Sequence, residues 1–399
     1  MKKNIVIFSF IISFLFLSYQ SANAWSGVTR ITWANGYSIS PKICADIYDD
    51  LHLLFLDDKS GLYQLYYKRS TDEGSTWSTL NQVTWFPNEL SSLNVTVVLN
   101  DIYAFFNSGN SIFLKKSMDG GITWSPPKQL TWGSLTRLGD VAIDSNGHIH
   151  LIYTRDGDLY HKTSTNSGII WSPPHRFTWG GLITGNSSSP HRIAGYYASG
   201  GGPGLTCDTL NNLHVSWGEG PTVYYKKSTT GGISWSAKVR ITWNDQMYPK
   251  CFHDIVTDSL DTIYLAWERT DIIGIGMSWY TRLEYRKSTD GGSTFSAIKI
   301  LPGGEENSTA LVLAVDSGDV LHGSFYCYES HTDYPITRQI FYIKSTDSGA
   351  NWNNAQKLTW SSRNSIYPYI STDSNNTVHV VWQEEYSGSN IEIHYKNSK

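Results

Sequence analysis

The chain has 399 residues and a formal net charge of −4, with 17% charged and 14% aromatic residues. It contains no basic run, which excludes nucleic acid and anionic membranes as expected partners. This composition, with its 34 glycines, is typical of an exported all-β domain.

The chain begins with a segment that has the three parts of a secretion signal. Lys2 and Lys3 are followed by the apolar run Ile5–Leu17 and by the small-residue site Ala22-Asn23-Ala24. The apolar run is too short for a transmembrane anchor, and no second one follows. We expect cleavage after Ala24 and a secreted or periplasmic protein without membrane insertion. Residues 1–24 are then the signal peptide, and residues 25–399 form a single domain.

The mature chain repeats a unit of about 50 residues that reads as four strands. The first strand ends in Asp at most copies, and six residues later the second strand carries a His or Tyr. These second-strand positions are His52, Tyr103, His150, His214, Tyr264, His322 and His379. Because the five His residues belong to different units, we expect no metal site and no cofactor. The fourth strand ends in Thr-Trp, and a Trp at a repeat position is expected to lie in the core.

The four cysteines are Cys44, Cys207, Cys251 and Cys327. They are scattered and lack the CxxC spacing of a metal site. Export permits disulfides, but buried free thiols are equally compatible with the pattern. The repeat, rather than the cysteines, therefore carries the fold.

Between the third and fourth strands lies the motif S-x-D-x-G-x-x-W, for example Ser117 to Trp124. An Asp side chain accepts backbone N–H bonds inside such a turn, while Gly supplies a positive φ. The Trp then packs under the turn as an apolar plug. Six copies occur, and Phe295 replaces Trp in the fifth. Thr230 takes the acidic position in the fourth copy, and the structural residues predicted at that position in the others are Asp72, Asp119, Asn166, Asp290 and Asp347.

This motif resembles the Asp box, or BNR repeat, of the sialidase-type β-propellers. The resemblance implies an all-β propeller with four-stranded blades, in which the box is a structural staple. Seven second-strand positions favour seven blades, with six as the alternative. The strand Gly27–Trp33 has no unit of its own, so we predict that it completes the last blade and closes the ring.

Three long segments are predicted to share the face opposite the boxes. They are Gly180–Gly204, Glu268–Arg282 and Tyr326–Arg338, and function tends to lie on such loops. Aromatic side chains offer an apolar face to sugar rings, and Arg matches carboxylates. A glycan or extracellular protein ligand, bound by a monomer, is therefore expected. The candidate ligand-binding residues are Arg192, Arg269, Trp279, Tyr280, Arg282 and Arg338.

Two functional classes remain open at this point. The first is a binding propeller, and the second is an exo-acting glycoside hydrolase such as an exo-α-sialidase. The resemblance implies a Tyr nucleophile paired with a Glu, which nominates Tyr328 and Glu268 as the catalytic pair. The order Glu268, Arg282 and the box at Ser288 matches the family. The Arg-Ile-Pro signature near the mature N-terminus is absent from the sequence.

Overall fold

A computed structural model describes residues 24–33, 36–180, 202–220, 222–243, 253–273, 278–304, 307–331, 334–386 and 390–398, without the side chains of 271–280 and 329–336. The predicted signal peptide falls almost wholly outside these residues, as does Cys251. Within the described ranges, no helix is long and apolar enough to cross a bilayer.

Seven antiparallel sheets of four strands each form the fold, so the prediction of a seven-bladed propeller is confirmed. The first strands are β2 (Ser38–Ala45), β6 (Leu90–Val98), β10 (Thr136–Ile143), β14 (Gly204–Cys207), β18 (His253–Thr257), β22 (Ser308–Val315) and β26 (Asn364–Thr372). The second strands are β3 (Leu51–Asp57), β7 (Asp101–Ser108), β11 (Ile149–Arg155), β15 (Leu213–Glu219), β19 (Ile263–Ile273), β23 (Leu321–His331) and β27 (Val378–Tyr386). The third strands are β4 (Gln64–Ser70), β8 (Ser111–Ser117), β12 (Asp158–Ser164), β16 (Thr222–Ser228), β20 (Ser278–Ser288), β24 (Tyr334–Ser345) and β28 (Asn390–Asn397).

The outer strands are short. They are β5 (Asn81–Gln82), β9 (Lys128–Gln129), β13 (His175–Arg176), β17 (Val239–Arg240), β21 (Lys299–Ile300) and β25 (Gln356–Lys357), with β1 (Thr29–Arg30) in the seventh blade. The first strands contact one another in a closed series from β2 to β26 and back to β2. Apolar side chains fill the spaces between neighbouring blades.

The first strand of the chain closes the ring, as predicted. Thr29 pairs with Tyr395 and Arg30 with His394, which makes β1 the outer strand of blade 7. Glu392, which is fully buried, accepts a hydrogen bond from Arg30 at 2.8 Å and another from the Thr32 hydroxyl. The closure therefore has both strand pairing and an ion pair to a buried carboxylate.

Two ends of the propeller differ in what they carry. We call the end with the Asp boxes and the turns between first and second strands the box face. The other end, with the hairpins between second and third strands and the links between blades, is the loop face. This assignment follows from the antiparallel strand order within every blade.

The Asp boxes are turns held by their own side chains. Asp119 Oδ1 accepts hydrogen bonds from the Ser117 hydroxyl at 2.7 Å and from the Thr123 amide at 2.9 Å. Gly121 has φ +86°, and a Cβ there would come within 2.0 Å of the Tyr67 hydroxyl of the preceding blade. The box therefore fixes the turn and also fits closely against its neighbour.

Replacing Asp119 by alanine is expected to lower the free energy of unfolding by about 1–3 kcal/mol, because several turn hydrogen bonds are lost. Asp119→Asn is the matched control, since Asn166 still accepts the Ile170 amide at 2.7 Å in the third box. Urea denaturation measures both variants. A folded Asp119→Ala protein of unchanged stability that had lost ligand binding would contradict a structural role.

The repeated histidines belong to buried hydrogen-bonded chains. His52 Nε2 lies 3.1 Å from Asp46 Oδ2, and its Nδ1 lies 2.8 Å from the Tyr67 hydroxyl. Burial lowers the pKa of His52, so the neutral ring donates to the carboxylate and accepts from the phenol. The same arrangement links Asp208–His214–Tyr225, Asp316–His322–Tyr342 and Asp373–His379–Tyr395, while His161 replaces Tyr in Asp144–His150–His161. Each of these hydrogen-bonded series joins the turn after the first strand, the second strand and the third strand of its own blade.

Three cysteines lie within the described ranges, and all three are free thiols: Cys44, Cys207 and Cys327. Burial raises the pKa of Cys207 to about 12, and it raises that of Cys44 further. Both thiols are therefore protonated at neutral pH and unreactive.

The repeated tryptophans fall into three groups, which corrects the expectation that all of them are core residues. The box tryptophans are partly buried between blades; Trp124, for example, packs edge-on against Tyr67 at 5.5 Å. Trp217, Trp267 and Trp382 of the second strands are fully buried. The tryptophans of the Thr-Trp pairs are instead strongly exposed. The repeat in the sequence predicts where in a blade a tryptophan lies, but it does not predict whether its side chain faces the core or the solvent.

Candidate functional site

Blades 5 and 6 carry extended hairpins on the loop face. The sequence predicts loops at Glu268–Arg282 and Tyr326–Arg338, but strands β19 and β20 pair from Ile263–Ser288 to Ile273–Ser278. Strands β23 and β24 likewise pair as far as His331–Tyr334. Strand pairing therefore extends through the described part of both segments where loops were predicted, with a register shift between Glu329 and His331 in blade 6. Second strands of 11 residues, against 7 in blade 1, extend these hairpins by roughly 13 Å.

One buried carboxylate breaks the repeat in blade 5. In the six other blades, an aromatic or His ring of the third strand stacks on an aromatic ring of the second strand, with centroids 5.6–6.3 Å apart. In blade 5, Glu284 takes the place of that ring opposite Trp267. Glu284 is 2% exposed and accepts a hydrogen bond from Trp267 Nε1 at 3.0 Å. A local departure of this kind indicates function more than stability.

Two arginines meet at this carboxylate. Arg269 Nη1 lies 3.3 Å and Arg282 Nε 3.0 Å from Glu284 Oε1. Both side chains keep about a fifth of their surface exposed. Two guanidinium groups therefore meet at one carboxylate, and the Arg fork matches the carboxylate of an anionic ligand.

Glu268 lies on the other side of the same sheet. Its carboxylate accepts a hydrogen bond from the Thr309 hydroxyl of blade 6. Burial raises the pKa of Glu268 to about 7, although hydrogen bonds from Thr309, the Ala310 amide and Thr270 oppose the shift. At neutral pH this carboxyl is therefore present in both protonation states, which suits an acid or base.

Replacing Glu268 by glutamine is expected to flatten the pH dependence of stability. Because the pKa in the folded state is about 7, against an ordinary value of 4.5, the folded protein binds a proton that the unfolded chain has released between these values. Wild-type stability therefore falls as pH rises through this window, by up to about 3 kcal/mol. The amide of the variant does not titrate. In urea denaturation, the free energy of unfolding of the variant relative to that of wild type should therefore rise from pH 5 to pH 8. An equal difference at both pH values would contradict the raised pKa.

Blade 6 contributes a cluster of aromatic side chains and one arginine. Tyr326, which is 5% exposed, lies edge-on to Tyr367 at 5.6 Å and tilted against Tyr328 at 6.1 Å. The Arg338 guanidinium lies over the Tyr328 ring at 4.9 Å and reaches Glu385 at 3.9 Å. The pKa of Tyr326 is raised first by burial and then by its neighbours, Glu268 among them. The nominated Tyr328 and Glu268 therefore share Tyr326 as a neighbour.

The predicted site residues divide between the two boundaries of blade 5, one with blade 4 and one with blade 6. Arg269 and Arg282 meet at Glu284, whose partner Trp267 packs with Val223 and Ile241 of blade 4. Glu268 instead bonds to Thr309 of blade 6, close to the aromatic cluster. Arg192 lies outside the described residues, and so do the side chains of Trp279 and Tyr280.

Sequence reasoning missed Glu284, Tyr326 and Thr309. A signal for Glu284 was present, because the fourth residue before each box serine is aromatic in the five other boxed units: Tyr66, Phe113, Tyr160, Tyr224 and Phe341. A comparison of the copies at that one column would have singled out blade 5. Tyr326 and Thr309 show no such signal, since Tyr and Thr are ordinary strand residues.

The comparisons with known proteins bear on the fold. No family model and no curated protein matches the chain. The polysaccharide lyase Uly1 superposes with a TM-score of 0.53 at 8% identity, covering 97% of this chain and 94% of the lyase. The endosialidase of phage phi92 superposes with a TM-score of 0.52 at 12% identity, covering 94% of this chain and 69% of that enzyme. The chain therefore has a sialidase-type β-propeller fold, built here from seven blades.

Proposed function

We propose that the protein is an exported carbohydrate-binding propeller that holds an acidic sugar on the loop face of blade 5 and its neighbours. The observation that carries the proposal is the replacement of a stacked ring by Glu284, together with two arginines that meet there. Two enzymes with a similar fold are named as an endosialidase and a polysaccharide lyase, which supports a carbohydrate as the ligand.

The chemistry of the cluster favours a carboxylate on that sugar. Glu284 holds Arg269 and Arg282 in place from below, and this reduces the entropy that each long side chain would lose on binding. The two guanidinium groups then attract a carboxylate, which Arg can bind in a forked geometry. A neutral sugar would gain much less from this arrangement.

A binding screen of the whole protein tests the proposal. A glycan array should show retention of glycans that end in or contain uronic or sialic acids, and titration calorimetry should give tighter binding for an acidic sugar than for its methyl ester. Equal affinity for acid and ester would overturn a role for the arginines. Failure to retain any acidic glycan would overturn the proposal as a whole.

The second candidate function is exo-acting glycoside hydrolysis of the sialidase type. The observation that favours it is Glu268, whose carboxyl has a pKa of about 7 beside the Tyr326, Tyr328 and Arg338 cluster. A panel of fluorogenic sialosides tests turnover. If Tyr328 is the nucleophile, Tyr328→Phe should abolish turnover and leave binding nearly intact. Tyr326→Phe is the control that separates the two phenols, and wild-type protein without turnover on the panel would exclude this activity.

A further inference from the structure

Six tryptophan side chains around the propeller are exposed to solvent. The Trp of each Thr-Trp pair is 59–73% exposed: Trp33, Trp85, Trp132, Trp179, Trp243 and Trp360. The preceding Thr is buried in each copy; the Thr131 hydroxyl, for example, accepts the Ile112 amide at 2.9 Å. Since Thr points inward, the following Trp must point outward from the rim of the blade.

In four of these rings, one side faces a cation from the next blade. Lys162 Nζ of blade 3 lies 5.9 Å from the Trp132 ring and donates to the Leu130 carbonyl of blade 2 at 3.1 Å. The pattern recurs for Lys226 with Trp179, Arg286 with Trp243 and Lys396 with Trp360, at 5.8, 5.2 and 5.4 Å. The cation therefore fixes the ring at the boundary between two blades, and the remaining ring surface is left to solvent.

The fifth blade lacks both the ring and the cation. The Leu301 amide donates a hydrogen bond to the third strand of its blade, as the Ile31 amide does in blade 7. Leu301 is followed by Pro302 and Gly303 instead of Thr and Trp. At the same boundary, Ile343 takes the position held by Lys162 in blade 3. Where the Trp is absent, its cation is absent too, yet the Phe325 and Leu301 core of this boundary is intact. The fold therefore closes without the exposed ring.

The kind of ligand follows from the isolation of each ring. Each Trp belongs to a different blade, so the rings do not merge into one apolar patch of the size that protein partners or membranes need. Small or polar residues follow several of them, among them Gly133, Gly180 and Ser361, which keeps the approach open. A pyranose ring fits a single flat indole, because its C–H bonds carry partial positive charge toward the negative π-face. A nearby cation can donate to the sugar hydroxyls.

We propose that these six tryptophans form a rim of carbohydrate subsites, separate from the blade 5 cluster, that together hold one neutral polysaccharide chain. Each subsite is weak alone. Binding at one rim position raises the effective concentration of sugar at the next, so several weak contacts can exceed a single affinity by about 10²–10⁴. The regular spacing by one blade suits a ligand whose units also repeat.

Affinity electrophoresis of the whole protein through gels that contain xylan, galactomannan or mixed-linkage β-glucan tests the rim. Wild-type protein should be retarded by at least one of these neutral polysaccharides. Each of Trp132→Ala, Trp179→Ala and Trp243→Ala should weaken binding about threefold, and the triple variant should weaken it about 30-fold. Circular dichroism and thermal melting check that each variant is folded.

Two controls make the result specific. Ile122→Ala, Ile169→Ala and Ile233→Ala together remove equally exposed apolar side chains from the box face, and this protein should be retarded like wild type. The combined variant Arg269→Gln, Arg282→Gln and Glu284→Tyr should also keep its retardation, so failure of the rim and failure of the blade 5 site are distinguishable. A folded triple Trp variant with wild-type mobility, equal loss in the Ile control, or no retardation of wild-type protein would each overturn the proposal.

Discussion

Replacement of Ile31 by aspartate is expected to open the propeller and to lower the free energy of unfolding by about 5 kcal/mol. Ile31 is 1% exposed and packs in the cluster that joins Leu53 and Phe55 of blade 1 to Val381 and Ile393 of blade 7. A carboxylate has no partner in that apolar cluster, and a buried unpaired charge is among the most destabilising changes known. Since domains are stable by about 5–15 kcal/mol, the loss removes a large share of the total.

Val28→Asp is the matched control for Ile31→Asp. Val28 belongs to the same segment but is 49% exposed, so a carboxylate there stays in water. Thermal melting and urea denaturation should show a large loss for Ile31→Asp and almost none for Val28→Asp. Equal stability of the Ile31→Asp protein and wild type would mean that the ring does not depend on its closing strand.

Removal of the charged cluster in blade 5 is expected to lower affinity for an acidic glycan about 100-fold without unfolding the protein. Replacing the arginines alone would leave Glu284 buried without its ion pairs, which would destabilise the fold. We therefore expect the clean test to be Arg269→Gln and Arg282→Gln combined with Glu284→Tyr. The tyrosine restores the pair that blade 4 has in Trp217 and Tyr224, with centroids 6.0 Å apart.

The size of this effect follows from the bonds that are lost. Hydrogen bonds to charged groups contribute about 1.5–3 kcal/mol each, and two of them account for a hundredfold change or more. Arg69→Ala is the control, because Arg69 pairs with Asp50 and lies on the box face. Titration calorimetry with an acidic oligosaccharide measures all three proteins. Wild-type affinity in the combined variant would place the acidic-sugar site elsewhere on the molecule.

The architecture was predictable from the sequence because its signals repeat. Seven second-strand positions against six boxes required a strand from elsewhere, and the unassigned Gly27–Trp33 strand does pair with β28. The box geometry was also accessible, since Asp, Gly and Trp each have one evident part in a tight turn. Repetition makes a weak local signal reliable by supplying several independent copies of it.

The candidate site was less predictable because function here lies in departures from the repeat. Glu284 is visible only when the copies are compared column by column, and its meaning depends on its burial opposite Trp267. Trp132 and Trp217 occupy equally regular positions, yet one is exposed and the other fully buried. That difference depends on which side of a strand faces the next blade, and this requires the assembled ring.

The closing strand also sets the order in which this protein can be made. Thr32 and Ile393, which form a hydrogen bond at closure, are separated by 361 positions in the chain. During synthesis β1 is made before every other strand, and its partner β28 is made last. Strand β1 therefore stays unpaired until synthesis is nearly complete. Blades 1 to 6 can each assemble from local hairpins, whereas the ring itself forms through the contact of longest sequence separation. Until that moment the first and last blades present open edges, so a nascent chain that stalls late is the species most exposed to pairing with other chains.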